Sequence, residues 1–200
     1  MNTKQQILKV ALELFIQHGY ERTSLTDVAE RIGITKPAIY YHYKSKEQLY
    51  VAVLNQFLDY FEEYFLHFAQ NPASTKETVQ QMFNSLAETH NIMSTVSGQS
   101  VDYDTEVSYY TLMLEGINTC PEMRPRMAEV STRMINLMSS IVKQGQEAGE
   151  VRADVDPDAF AFQLYATIEG AYMVSVFNRN IDLKSLITPM SDNTWRGIQA

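Results

Sequence analysis

The stretch Thr23-Ser24-Leu25-Thr26-Asp27-Val28-Ala29-Glu30-Arg31-Ile32-Gly33-Ile34-Thr35-Lys36-Pro37-Ala38-Ile39-Tyr40-Tyr41-His42-Tyr43 decides the fold of this 200-residue chain. Ser24, followed three residues later by Asp27, is a helix start signal, and Leu25, Val28, Ala29 and Ile32 supply one buried face. Gly33 offers the left-handed stop. Only Gly33, Ile34 and Thr35 separate this helix from the next, where Thr35 is placed to cap and Pro37 falls in the first turn, which tolerates a missing N–H. Two short helices across so tight a turn, with Ala29, Gly33 and Ile39 at the internal contacts, meet the requirements of a DNA-reading helix-turn-helix.

Outward from this core the pattern stays helical. Upstream, Thr3 with Gln6 is expected to form a capping box, and Ile7, Leu8, Ala11, Leu12, Leu14 and Phe15 make one apolar stripe that ends near Gly19. Downstream, Ser45 with Gln48 starts a fourth helix, with Lys46 in its first turn. A cation there opposes the helix dipole, so an external phosphate is the expected reason for it. The reading helix presents Thr35, Lys36, Pro37, Ala38, Tyr40, Tyr41 and His42, a surface suited to phosphates and thymine methyls. Tyr43 is expected to pack inward. No stretch alternates with the period of two that strands require, so the chain reads as all-α.

The quoted run, continued through Lys44-Ser45-Lys46-Glu47-Gln48-Leu49 and extended upstream by Ala11, Phe15, Gly19 and Tyr20, resembles the TetR family signature. The resemblance implies phosphate contacts from Thr23, Ser24, Tyr41 and Lys46, and base-side contacts from Thr35 to Ala38, Tyr40 and His42. It further implies a DNA-binding domain over residues 1–47, with its helix-turn-helix at about 24–43, and a helical ligand-binding and dimerisation domain over 48–200. The function implied is that of a ligand-responsive repressor, released from an inverted-repeat operator by a small-molecule inducer.

Charge is divided along the chain in keeping with that plan. The net charge is −8, yet residues 1–50 hold seven Lys and Arg against five Asp and Glu, while the remainder holds nine against nineteen. A mildly basic head on an acidic body suits a DNA reader whose bulk is repelled by phosphate. No signal or transit peptide is visible, so a cytoplasmic protein is expected. The apolar run Ala159 to Phe177 is broken by Gln163, Thr167, Glu169 and Ser175, which favours a buried helix over a membrane span.

In the body, one helix is expected from Gln48 to Phe68, others over Thr75 to Thr95 and Glu106 to Asn118, and polar connections at 71–74 and 97–105. Met123, Met127, Val130, Met134, Leu137 and Ile141 recur at alternating three- and four-residue steps towards Gly149, a continuous helical seam. Asp156 and Pro157 start a further helix, apolar on nearly every side and carrying the small residues Ala166 and Gly170. A helix apolar all round must be buried all round, so pairing of both helices with a second copy is expected. The homodimer interface is therefore assigned to Met127, Val130, Met134, Leu137, Ile141, Ala166 and Gly170.

Ten methionines and a large aromatic complement favour an adaptable apolar cavity. Its candidate residues are Phe61, Tyr64, Phe65, Met82, Phe83, Leu86, Tyr110, Met113, Glu169 and Tyr172. The fourth helix joins the two functions and is the expected lever between them.

Two other functions compete. An enzyme would need a constellation, but His18, His42, His67 and His90 lie far apart, Cys120 is the single cysteine, and no glycine-rich phosphate loop occurs. No catalytic group, metal or cofactor is expected. A constitutive architectural DNA binder would have no use for so large an aromatic-rich body. Double-stranded operator DNA, a small-molecule inducer and a second copy are the expected partners, and no membrane.

Overall fold

Asn2, not Thr3, opens the first helix: its side chain accepts from the Gln5 N–H at 2.9 Å while the Gln5 side chain accepts from the Asn2 N–H. The expected box at Thr3 and Gln6 is thus displaced by one residue. A computed structural model describes residues 2–70, 74–97, 103–178 and 180–200, and for 67–70, 87–97 and 103–110 the helical backbone alone. Among the described residues the chain is helical throughout, with one isolated antiparallel bridge between Val151 and Gln199. No helix there is long and apolar enough to cross a membrane.

The chain divides into two compact units, residues 1–60 with 90–127, and residues 61–89 with 128–200. The first contains α1 (Thr3–His18), α2 (Leu25–Ile32), α3 (Lys36–His42), the first part of α4 (Lys46–Gln70) and α6 (Tyr103–Thr119). α1 packs on α2 and on α6, and α2 packs on α3. Ile7, Ala11, Leu12, Leu14, Phe15, Val28, Ala29 and Ile39 are buried where those helices meet, as their spacing predicts. Ser24 and Asp27 form the expected capping box, and Gly33 sits at φ 79°, in the left-handed region a side chain rarely adopts.

Two caps differ from expectation. Thr35 occupies the cap position of α3 but makes no side-chain cap bond. Ser45 accepts from the Gln48 N–H at 3.1 Å, yet the Gln48 side chain reaches one residue further back, accepting from the Lys44 N–H at 2.7 Å. The carbonyl beyond the two methylenes of a Gln side chain has the reach for either N–H, and spacing alone does not choose between them.

The second unit holds the remainder of α4, α5 (Thr75–Ser97) up to residue 89, α7 (Met123–Glu147) from residue 128, α8 (Pro157–Phe177) and α9 (Leu183–Arg196). Ser74 accepts from the Glu77 N–H, and the Glu150 carboxylate accepts from the Thr75 N–H at 2.8 Å, so two separate segments satisfy the first N–H groups of α5. Asp156 caps α8 by accepting from the Asp158 and Ala159 N–H groups, with Pro157 in the first turn.

α9 was not anticipated. Asp182 caps it, and Ile187, Ser191 and Trp195 are buried at four-residue spacing. Pro189 lies inside this helix, and a proline in a mostly polar segment masks a helical period. α9 packs on α8. Beyond it the chain returns to the α7–α8 connection: the Arg152 N–H donates to the Ile198 carbonyl and the Ala200 N–H to that of Glu150.

The α7 seam requires correction. Val130, Met134 and Ile141 are buried by the chain itself, together with Met138 and Val142, while Met127 and Leu137 are half-buried. The chain itself covers the seam, so it leaves little surface for another copy. α8, by contrast, is not buried all round. Phe162, Val174 and Phe177 are 61%, 52% and 78% exposed and share a face with exposed Ala166 and Gly170.

Candidate nucleic-acid interface and ligand-facing residues

The exposed side of α3 carries most of the residues assigned to DNA. Thr35, Lys36 and Pro37 are exposed, Ala38 and His42 half-buried, and Tyr41 stands 78% exposed with its ring edge-on to His42. Tyr40 lies beneath the Lys36 ammonium, 5.9 Å from its ring centroid. This contact orients one cation and one phenol together. Tyr43 turns inward as expected; burial pushes its phenol above the ordinary value.

Beside α3 runs an open groove of about 490 Å³, lined by Glu21, Arg22, Thr23, Ser24, Leu25, Thr26, Lys36, Tyr40, Lys44, Ser45 and Lys46. It joins the turn after α1, the starts of α2 and α4, and one edge of α3. Four cations and several hydroxyls along one concavity make a surface matched to a sugar-phosphate strand.

Three assigned phosphate ligands are held by the chain itself. Thr23 is buried, its hydroxyl donating to the carbonyls of Gly19 at 2.9 Å and Leu14 at 3.2 Å. Ser24 donates to the Asp27 carboxylate while capping α2. Lys46 donates to the carbonyls of Tyr20 at 3.0 Å and Glu21 at 3.3 Å, and its ammonium lies 4.1 Å from the Tyr20 ring centroid. The carbonyls of a turn thus take the cation for which a phosphate was expected. Arg22, Thr26 and Lys44 line the groove without having been singled out. Arg22 donates to the His18 carbonyl at the end of α1, and Lys44 to the Tyr40 carbonyl at the end of α3. Basic residues just past helix ends are the sequence signal for such caps.

Among the candidate cavity residues, the second unit brings Phe61, Tyr64 and Phe65 into one aromatic run, with ring centroids 4.6 Å apart for Phe61–Phe65 and 5.7 Å for Tyr64–Phe65. Phe65, Met82, Phe83, Leu86 and Tyr172 are buried there, and Glu169 is half-buried on α8. Met113 is buried in the first unit. The Tyr110 side chain lies outside the described residues.

The family model for bacterial regulatory proteins of the tetR family matches residues 7–53, and that for the tetracyclin repressor-like C-terminal domain matches residues 109–185. The chain belongs to the TetR family. A fatty acid metabolism regulator protein of Bacillus subtilis (strain 168) is 22% identical over 198 residues, which span 96% of this chain and 94% of that protein. The HTH-type transcriptional regulator QacR of Staphylococcus aureus is 29% identical over 150 residues, 75% of this chain and 74% of its own. A TetR/AcrR-family transcriptional regulator from Thermobifida fusca, solved as a crystal structure, superposes with a TM-score of 0.70 at 29% identity and covers 98% of both chains. This TetR-family chain is a helix-turn-helix transcriptional regulator.

Proposed function

We propose that this regulator is a homodimeric repressor that reads an inverted-repeat operator with α3 and is released by a small-molecule inducer. Residues 1–47 serve as the DNA-binding head and 48–200 as the sensing and dimerising body. The observation that carries the reading is the groove beside α3, where exposed Lys36 and Tyr40 meet the basic and hydroxyl-bearing residues of the turn after α1. Lys36, Pro37, Ala38, Tyr40, Tyr41 and His42 are the contacts to bases and adjoining phosphates; Thr35, Arg22, Thr26 and Lys44 flank them on the phosphate side.

Dimerisation is assigned to the α8 face formed by Phe162, Ala166, Gly170, Val174 and Phe177. It is apolar and exposed, and a Cβ added at Gly170 would meet open space, so a partner helix can approach closely there. The inducer is assigned to the surroundings of Phe61, Tyr64, Phe65, Met82, Phe83, Leu86, Glu169 and Tyr172. Supporting this are the aromatic run on α4 and the thioether and ring surfaces buried in the same unit. DNA as partner makes the cytoplasm its place of work.

The test is selection of duplexes from a random-sequence pool by the full chain, followed by footprinting. Protection of an inverted repeat, with half-sites about one helical turn apart or somewhat more, is the expected result. Recovery of no preferred sequence overturns the reading. A thermal-shift screen of small molecules then identifies an inducer, whose release of the duplex must be lost in Tyr64→Ala while the duplex is still bound.

A further inference from the structure

We infer that Glu115, on α6, is a positioning residue for DNA reading: its one carboxylate ties the turn after α1 and the first turns of α4 to α6, and so sets the head. The inference rests on the DNA-reading role proposed above. Glu115 Oε2 accepts from the Tyr20 backbone N–H at 3.2 Å and from the Tyr50 hydroxyl at 3.4 Å. The Tyr50 hydroxyl also donates to the Leu112 carbonyl at 2.8 Å, a second tie between α4 and α6.

Tyr20 is the point where these ties converge. It is 4% exposed, and its ring lies 6.1 Å from that of Phe15 on α1 and 4.6 Å from that of Tyr50 on α4. Its N–H meets the Glu115 carboxylate, and its carbonyl and ring meet the Lys46 ammonium. Burial, and next the neighbouring Glu47 carboxylate, push its phenol above the ordinary value. One residue is therefore bracketed by a cation from α4 and an anion from α6. The N–H lies beyond the last turn of α1, and without Glu115 a buried amide would be left unsatisfied, an outcome folded chains avoid. Neighbouring Gly116 makes α6 lie close: a Cβ there would run into the Leu54 side chain and face the Tyr50 ring.

The same turn leads directly into Thr23, Ser24 and the start of α2, which packs on α3. A shift of Glu115 therefore moves the base on which the reading helix stands. Electrostatics alone would speak against a carboxylate in this unit, since a negative charge near a polyanion opposes binding. A positional role and a merely electrostatic one thus have opposite signs.

The experiment measures affinity and salt dependence of the full-length chain for the duplex that wild type recovers from the random pool. Glu115→Ala is expected to bind roughly tenfold more weakly, the order expected for a charge-assisted hydrogen bond, with the slope of log affinity against log salt unchanged. The Tyr20 amide should exchange faster with solvent in the same variant. Glu115→Gln keeps an acceptor oxygen and should restore affinity to near wild type. Tyr50→Phe, which keeps the ring and loses the hydroxyl, should weaken binding in the same direction and stands in if Glu115→Ala does not fold. Wild-type or tighter binding by Glu115→Ala, or by Tyr50→Phe in its place, overturns the inference. A wild type that recovers no duplex removes the DNA-reading role itself, which is a different failure.

Discussion

Thr23 and Lys46 show how far a side chain's type fixes its partner. Both suit a phosphate by chemistry, and both are taken by backbone carbonyls of the segment that closes α1. Thr23→Val keeps the shape but removes the donor, and should lower unfolding stability by about 1 kcal/mol in a denaturant titration. The salt slope for the selected duplex should stay as in wild type. Lys36 and Lys46 should separate in the same measurement. Lys36→Ala should lower the slope by about one per protomer and alter sequence preference, whereas Lys46→Met should lower the unfolding midpoint and leave the slope intact. A slope that falls with Lys46→Met and holds with Lys36→Ala would reverse these assignments. The Ser24–Asp27 cap was legible because it depends on residues three apart. The Lys46 to Tyr20 bond spans 26 positions and carries no local signature.

Glu47 offers a pH test at this scale. Its own backbone N–H, then the Ser45 and Tyr20 hydroxyls, hold its carboxyl below the ordinary value. A depressed folded-state value means the contribution is present above the unfolded value and lost as pH falls through the folded one. Glu47→Gln should therefore flatten the acid limb of stability against pH, without change near neutrality in its slope.

Among the elements, α7 and α8 exchange the roles that periodicity alone would give them. α7 repeats its apolar residues along one seam, and the chain itself buries most of that seam; α8 has no polar side, and only one flank is covered. A regular stripe predicts a buried face but not which molecule buries it. Met134→Ala should consequently destabilise each protomer by about 2–5 kcal/mol, the cost of a cavity in a filled core, as read by chemical unfolding at constant protein concentration. A loss confined to association would restore the seam to the interface. α9 was illegible for another reason: its three buried positions are few, and Pro189 interrupts the period that would have exposed them.

In the proposed homodimer, dimerisation and DNA reading are coupled because each protomer brings one reading helix. Val174→Asp puts a charge on the exposed α8 face, where it costs the lone protomer little but would be buried unpaired between two. Sedimentation should show monomers that keep the wild-type helical content, and footprinting should show at most a single half-site. Val174→Asp protein that remains dimeric would move the interface elsewhere. The division of charge, basic head and acidic body, was readable from counting alone. The identity of the inducer was not, since the same rings and thioethers line cores and cavities alike.

The return of the last residues to the α7–α8 connection, through the Val151–Gln199 bridge and the bonds of Arg152 to Ile198 and of Ala200 to Glu150, makes α8 and α9 an excursion that leaves and rejoins the fold at one place. A segment whose two ends are neighbours can be exchanged as a cassette between paralogues without redrawing the remainder. In the proposed homodimer, pairing preference carried by the outer flank of α8 is thereby free to diversify while the head stays as it was.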